Sequence, residues 1–175
     1  MDFPWSGVFN THNAMKHKIL VLVSTLLCSA ITAMAAAKST EKVPSGFTPI
    51  SELKEAQAKA ASDKKLVVLV VKGMDDSCPN CAMTLENGLK AAGSGIIKVF
   101  ARAETLNKQD TTAYPPALQE RVKQQFVTGA SVTFLVFDPE MSKILVEGDR
   151  KTLQSDKKAI AEFKKAVQEA KKSLK

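Results

Sequence analysis

From residue 47 onward, four short apolar runs alternate with segments whose apolar residues recur at helical spacing. Leu66 to Val71 is six consecutive aliphatic residues without alternation, the pattern of a strand covered on both faces. Ile96 to Ala101 and Val132 to Phe137 read the same way. After a turn at Asp138 to Ser142, Lys143 to Glu147 alternates through Ile144 and Val146, as an antiparallel edge strand does. Between the strands, Ile50, Leu53, Ala56, Ala60 and Ala61 predict a helix after Pro49, capped by Ser51 or Thr48. Cys81, Leu85, Leu89 and Ala92 form the inward stripe of a second helix, Pro79 to Ala92, which Gly93-Ser94-Gly95 ends. Pro116 opens a third, with Leu118, Val122 and Phe126 inward. The last starts near Ser155 and packs through Ile160, Phe163, Val167, Ala170 and Leu174. Strand, helix, strand with tight connections is a βαβ unit, so the pattern predicts an α/β domain with a central mixed sheet of four strands flanked by helices. Ala103 to Tyr114, ahead of Pro115-Pro116, has no such period; a plain surface loop and a partner-selecting segment are both open.

Ahead of the domain the pattern changes. Lys16-His17-Lys18 precedes an unbroken apolar run from Ile19 to Ile31, and Thr32-Ala33-Met34-Ala35 supplies small residues where signal peptidase needs them. Residues 1–35 therefore read as a secretory signal cleaved after Ala35, or after Ala37, which makes the mature protein periplasmic or secreted. The alternative is an uncleaved anchor, the one case that brings membrane contact, since Ile19 to Ala37 is nearly long enough to span a thin bilayer. The residues before Cys28 lack the small residue that lipid attachment requires. Residues 1–14, with Asp2, Pro4 and Trp5, are atypical of a signal, and Met15 is the more natural start. Residues 36–46 are polar and form a linker expected to be mobile; residues 47–175 are the domain.

Composition enters through this cleavage. The 175 residues are 45% hydrophobic and 25% charged, as in a globular protein with one core. The formal charge of +7 falls to +6 once Asp2, Lys16 and Lys18 leave. Both histidines (His12 and His17), the single Trp5 and Cys28 leave with them, so the mature chain has no imidazole for Cys-His catalysis or a histidine-built metal site. No basic patch interleaves with aromatic residues, which argues against nucleic acid. The pairs Lys157/Lys158, Lys164/Lys165 and Lys171/Lys172 recur seven apart on the face opposite the apolar stripe, where a solvated surface is expected and a docking stripe for an anionic partner is the alternative.

Two cysteines remain, in Cys78-Pro79-Asn80-Cys81, at the end of the first strand and the start of the second helix. Free N–H groups and aligned peptide dipoles at a helix N-terminus favour negative charge, so Cys78 should hold a thiolate more easily than a free cysteine. Cys81, one turn inside, is placed to attack a mixed disulfide formed on Cys78. Pro79 suits the first helical turn. A structural disulfide closing so short a loop would remove little chain entropy. Zinc would lack further ligands, whereas copper(I) could use the two sulfurs with Met74 or Met83.

The order of helix, Val-rich strand, CxxC opening a helix, then strand, helix and a strand pair closed by a helix resembles the thioredoxin superfamily across roughly Phe47 to Leu174. The Ala- and Lys-rich helix end, Ala60-Ala61-Ser62-Asp63-Lys64-Lys65, is similar to that of its exported members. The resemblance implies a sheet ordered 2-1-3-4, thiol–disulfide exchange with protein thiols or disulfides in the exported compartment, Cys78 as attacking cysteine, Cys81 as resolving one, and no diffusible cofactor. Three positions depart from it. Ser77 stands where the family has Trp, and Lys72 where it has a buried acid, leaving Asp75 or Asp76 as substitutes or as plain solvated aspartates. Val132, before Thr133, stands where the family's cis-proline faces the cysteines; a non-proline cis bond costs about 2.5 to 4 kcal/mol, so a trans bond is expected. Lys72, Pro79, Asn80, Val132 and Thr133 are thus the expected tuning or groove residues. The sequence points to an exported thiol–disulfide oxidoreductase of undetermined direction; the alternative is a non-catalytic module of the same fold that binds copper(I) or a protein.

Overall fold

The structure is a computed structural model that describes residues 42–174. The predicted leader, with Cys28, His12, His17 and Trp5, and residues 36–41 of the predicted linker lie outside the described residues. No helix among the described residues is long and apolar enough to cross a membrane.

Five strands form one mixed sheet: β1 (Thr48–Pro49), β2 (Val67–Lys72), β3 (Ile97–Arg102), β4 (Val132–Phe137) and β5 (Ile144–Asp149), in the order β1-β3-β2-β4-β5. β1 and β2 run parallel to β3, while β4 is antiparallel to both β2 and β5. The expectation of four strands is corrected by β1. A two-residue strand is too short to carry any period, and Pro49, which lacks an N–H, suits the sheet edge where β1 lies.

Helices cover both faces because the strands are apolar on both. Val67, Leu69 and Val71 of β2, with Val99, Leu135 and Phe137, meet α1 (Leu53–Asp63), α3 (Ala103–Lys108) and α4 (Pro116–Lys123). Leu66, Val68 and Val70, with Phe100, Phe134 and Val136, meet α2 (Pro79–Ala92), α5 (Arg150–Leu153) and α6 (Lys157–Lys172). Val43, expected in a mobile linker, packs against this second cluster.

Several local expectations shift. A 3-10 turn, Ile50–Glu52, precedes α1, no side chain caps it, and Ala61 is exposed. The segment after β3 opens with α3 in place of a structureless loop; Ala103 and Leu106 are buried, and Tyr114 is too, its hydroxyl donating to Gln109 Oε1 at 2.5 Å. In α2 the buried stripe is Cys81, Thr84, Gly88, Ala91 and Ala92, leaving Leu85 and Leu89 half-buried at its flank. The rotation lets Phe134 of β4 lie directly beneath Gly88, with the Phe163 ring of α6 edge-on to it at 6.1 Å. Lys171 leaves the solvated face and donates to the carbonyls of Ala92 and Ser94 at 2.6 and 2.7 Å, at the C-terminal end of α2.

The Gly88 contact is testable. A Cβ there would lie 2.3 Å from Phe134 Cζ, so one of two packed elements must move. Gly88→Ala gains helix propensity but overpacks the core, and should lower stability by about 1 to 2 kcal/mol in urea unfolding. A stabilised variant would contradict this packing.

Candidate functional site

The site grows from the C-terminal end of β2. Gly73 is buried against the segment before β4: its N–H donates to Ser131 O at 3.1 Å, and the Met74 N–H to Thr128 O at 2.8 Å. A Cβ on Gly73 would sit 1.9 Å from Gly129 O, so only glycine allows the two backbones this close. Asp75 then accepts the Ser77 N–H and hydroxyl at 2.9 and 2.7 Å, which turns the chain toward α2.

Asp76 is gripped from below. Arg102, at the end of β3, donates both guanidinium nitrogens to its two oxygens at 2.9 Å and reaches Gly73 O at 2.8 Å. Lys72 pairs with the same carboxylate and donates to Asp75 O at 3.2 Å. These partners hold the Asp76 carboxyl well below the usual range, Arg102 most strongly. Asp75 and Asp76 stay in contact with solvent, as two loop aspartates are expected to, and in addition they build the loop, so that Lys72 serves the loop as much as the thiols.

Cys78 is the N-cap of α2, with Pro79 in the first turn. The Cys81 N–H points at Cys78 Sγ, 3.2 Å away, and at Cys78 O, 3.1 Å away. Cys78 is half-buried and Cys81 is 1% exposed, and both are free thiols. Hydrogen bonding from Cys81 lowers the Cys78 pKa, through the thiol first and also through the N–H; Arg150 adds to this, while burial and the Asp75 charge oppose it. Burial, then the hydrogen bond to Cys78 and its charge, push Cys81 up to about 11, against the pull of Arg150 and Lys72. The Cys78 sulfur is thus shifted toward its thiolate and the Cys81 sulfur away from it.

Of the other expected residues, Val132 is buried in the same apolar cluster as Cys81, against which Cys78 also packs. No cis peptide bond occurs among the described residues, so Val132 enters β4 through a trans bond. Thr133 is half-buried and paired with Asp149. Asn80 is exposed at the helix start, its carbonyl accepting the Thr84 hydroxyl at 2.7 Å. Met74 and Met83 are exposed, at 63% and 44%, and among the described residues no group of three or more His, Cys, Asp or Glu side chains could hold a metal. Sequence reasoning missed Gly73, Arg102 and Arg150. The signal for Arg102 lay in its place one strand over from Lys72, with which it is in register, so that one acid after the strand would draw both cations.

Two outcomes follow. Site-resolved alkylation of the reduced protein should modify Cys78 before Cys81; equal first-hit rates at the two sulfurs would remove the asymmetry. Because the folded Asp76 carboxyl is more acidic than an unfolded one, its grip on the loop is complete above about pH 4 and is lost as pH falls further. Proteolytic cutting within residues 73–77 should therefore stay constant from pH 7 to 4 in the parent chain and be faster throughout in Asp76→Asn. Equal cutting of the two would remove the role given to this carboxylate.

Comparison of the chain with protein-family models, curated proteins and solved structures found no match in any of the three.

Proposed function

We propose that the protein is a thiol–disulfide oxidoreductase of thioredoxin-like fold, acting on protein partners through Cys78 and Cys81. The observation that carries the reading is the asymmetry of the pair: a half-buried N-cap sulfur favoured as thiolate, and a buried protonated thiol one turn behind it. Support for the fold comes from strand order. Without the short β1 the strands lie β3-β2-β4-β5, the order 2-1-3-4 along the chain, with the CxxC at the end of β2.

In this reading the Cys78 thiolate attacks one sulfur of a partner disulfide. The S–S bond breaks, a Cys78–partner disulfide forms, and the other partner sulfur leaves as thiolate and takes up a proton. Cys81 then loses its proton to solvent or to the departing sulfur and attacks Cys78 Sγ. A Cys78–Cys81 disulfide closes and the second partner sulfur leaves, so two electrons pass from the pair to the partner. An oxidised pair runs the same steps in reverse. The leader sequence supports an exported setting, where either direction has a purpose. The copper(I) alternative asks both sulfurs to face one ion, and the burial of Cys81 weighs against it.

Cys81→Ser should leave partner proteins covalently trapped on Cys78 in cells, released by reductant and absent from Cys78→Ser. Tight copper(I) binding by the parent protein with no trapped partner would overturn the assignment.

A further inference from the structure

The segment entering β4 forms one wall of a groove of about 220 Å³, and the end of β5 with the start of α5 forms the other. Val127 and Val132 belong to the first wall, Arg150 and Lys151 to the second. Pockets that enclose whole small molecules begin at about 300 Å³, so this groove suits one or two side chains of an extended polypeptide better than a cofactor.

Backbone contacts join the groove to the cysteine loop. Gly73 and Met74, which lead from β2 toward Cys78, donate to Ser131 O and Thr128 O, so the loop and the first wall are one hydrogen-bonded unit. Cys78 and Ala130, which lines the groove, both pack against the cluster that holds Val132 and Cys81. Exposed apolar side chains gather in the same elements. Among the described residues three large ones are exposed: Met74 in the loop, Met83 two residues after Cys81, and Val127 in the groove wall, which at 70% is the most exposed. Apolar groups left in water around one site mark a surface that another chain covers.

Charge narrows what that chain carries. Three cations (Arg121, Arg150 and Lys151) line the groove against two carboxylates (Glu147 and Asp149). Arg121 binds Glu147 at 2.7 Å and lies over the Phe126 ring at 4.5 Å. Asp149 Oδ1 accepts the Thr152 N–H and hydroxyl at 3.0 Å. Arg150, half-buried, and Lys151, exposed, make no ion pair among the described residues. Their backbone is fixed: Asn87 of α2 donates to the carbonyls of Leu153 and Gln154 at the far end of α5, each at 3.0 Å. A guanidinium on a rigid element prefers a carboxylate, which takes two of its N–H groups at once, to a neutral acceptor.

We propose that the groove receives an extended segment of the partner protein in which an acidic and an apolar side chain flank the exchanging cysteine, the carboxylate meeting Arg150 and Lys151 and the apolar group meeting Val127. The inference rests on the oxidoreductase reading and names the chemistry of its partner. A second copy of the chain is the poorer occupant, because at a net charge of +7 it brings mostly like charge.

The test uses the reduced protein and three blocked peptides, Glu-Leu-Cys-Leu-Glu and its Gln and Lys counterparts, each with its cysteine joined in a disulfide to thionitrobenzoate. Attack by Cys78 on the peptide sulfur releases the coloured arylthiolate, and Cys81 then closes the Cys78–Cys81 disulfide and frees the peptide thiol. The Glu peptide should react about three- to tenfold faster than the Gln peptide at low salt, the Lys peptide slowest, and the ratio should approach one as salt rises. Arg150→Met/Lys151→Met should bring the ratio near one, Arg150→Lys should keep most of it, and Lys164→Met on α6 should leave it unchanged. A ratio between peptides is independent of any change in the thiol's own reactivity. Val127→Ser should slow the Glu and Gln peptides equally. Thermal unfolding identifies a double variant that fails to fold, and Arg150→Gln then replaces it. Equal rates for Glu and Gln peptides, a preference for Lys, or a sedimenting dimer that protects Val127 and excludes peptide overturns the inference and leaves the exchange reading standing. Release no faster than in Cys78→Ser would instead sink the exchange reading; fluorescence anisotropy of labelled Glu-Leu-Ser-Leu-Glu against its Gln counterpart then decides the groove by itself, equal binding overturning it.

Discussion

β2 has no free edge and no wet face: it is paired with β3 on one side and β4 on the other, and Val67 to Val71 are all buried. That double burial requires a helical layer on each side, and sorts alternate residues of one Val-rich run between two clusters. It also decides where chemistry can occur. At Lys72 the chain leaves the centre of the sheet between a parallel and an antiparallel neighbour, and it has room to do so only because Gly73 carries no side chain against Gly129. The five residues that follow are pinned to the strand ends by Lys72 and Arg102 before α2 can begin at Cys78.

What the sequence made legible is what burial alone dictates. The cores of β2, β3 and β4 were visible because apolar runs covered on both faces need no partner to be recognised. α2 was bounded correctly by Pro79 and Gly93, since both are local signals. The stripe of α2 was misplaced toward Leu85 and Leu89 because hydrophobicity favours large residues. The close approach of Phe134 instead selects the small residues Thr84, Gly88 and Ala91. β1 is too short to have a pattern, and α3 keeps only two residues inward. Within the site, the cysteines and the helix start were local and readable, whereas the Arg102 contacts join residues far apart along the chain. Only strand register brings those together.

The charges near the pair divide in a way the departures from the thioredoxin pattern leave unexplained. Lys72, standing where a buried acid is expected, looks at first like a cation offered to the thiols. Its ion pair with Asp76, shared with Arg102, spends most of that charge on the loop. Arg150 of α5 is among the groups that lower the Cys78 pKa, after the hydrogen bonds from Cys81.

The lack of an acid beside Cys81 raises the question of how a thiol held at about 11 could ever attack in the proposed cycle. The causes of the shift answer it. After burial, the two groups of forces holding the proton on Cys81 are its hydrogen bond to Cys78 and the Cys78 charge. Both belong to the free thiolate. Once Cys78 is consumed in a mixed disulfide, its charge is gone and its sulfur is a poor acceptor, so burial alone remains against the pull of Arg150 and Lys72. The resolving thiol thus becomes easier to ionise at the step that needs it, and protonated again when the cycle restores Cys78. In the proposed cycle the coupling between the two sulfurs would take the place of a separate proton acceptor.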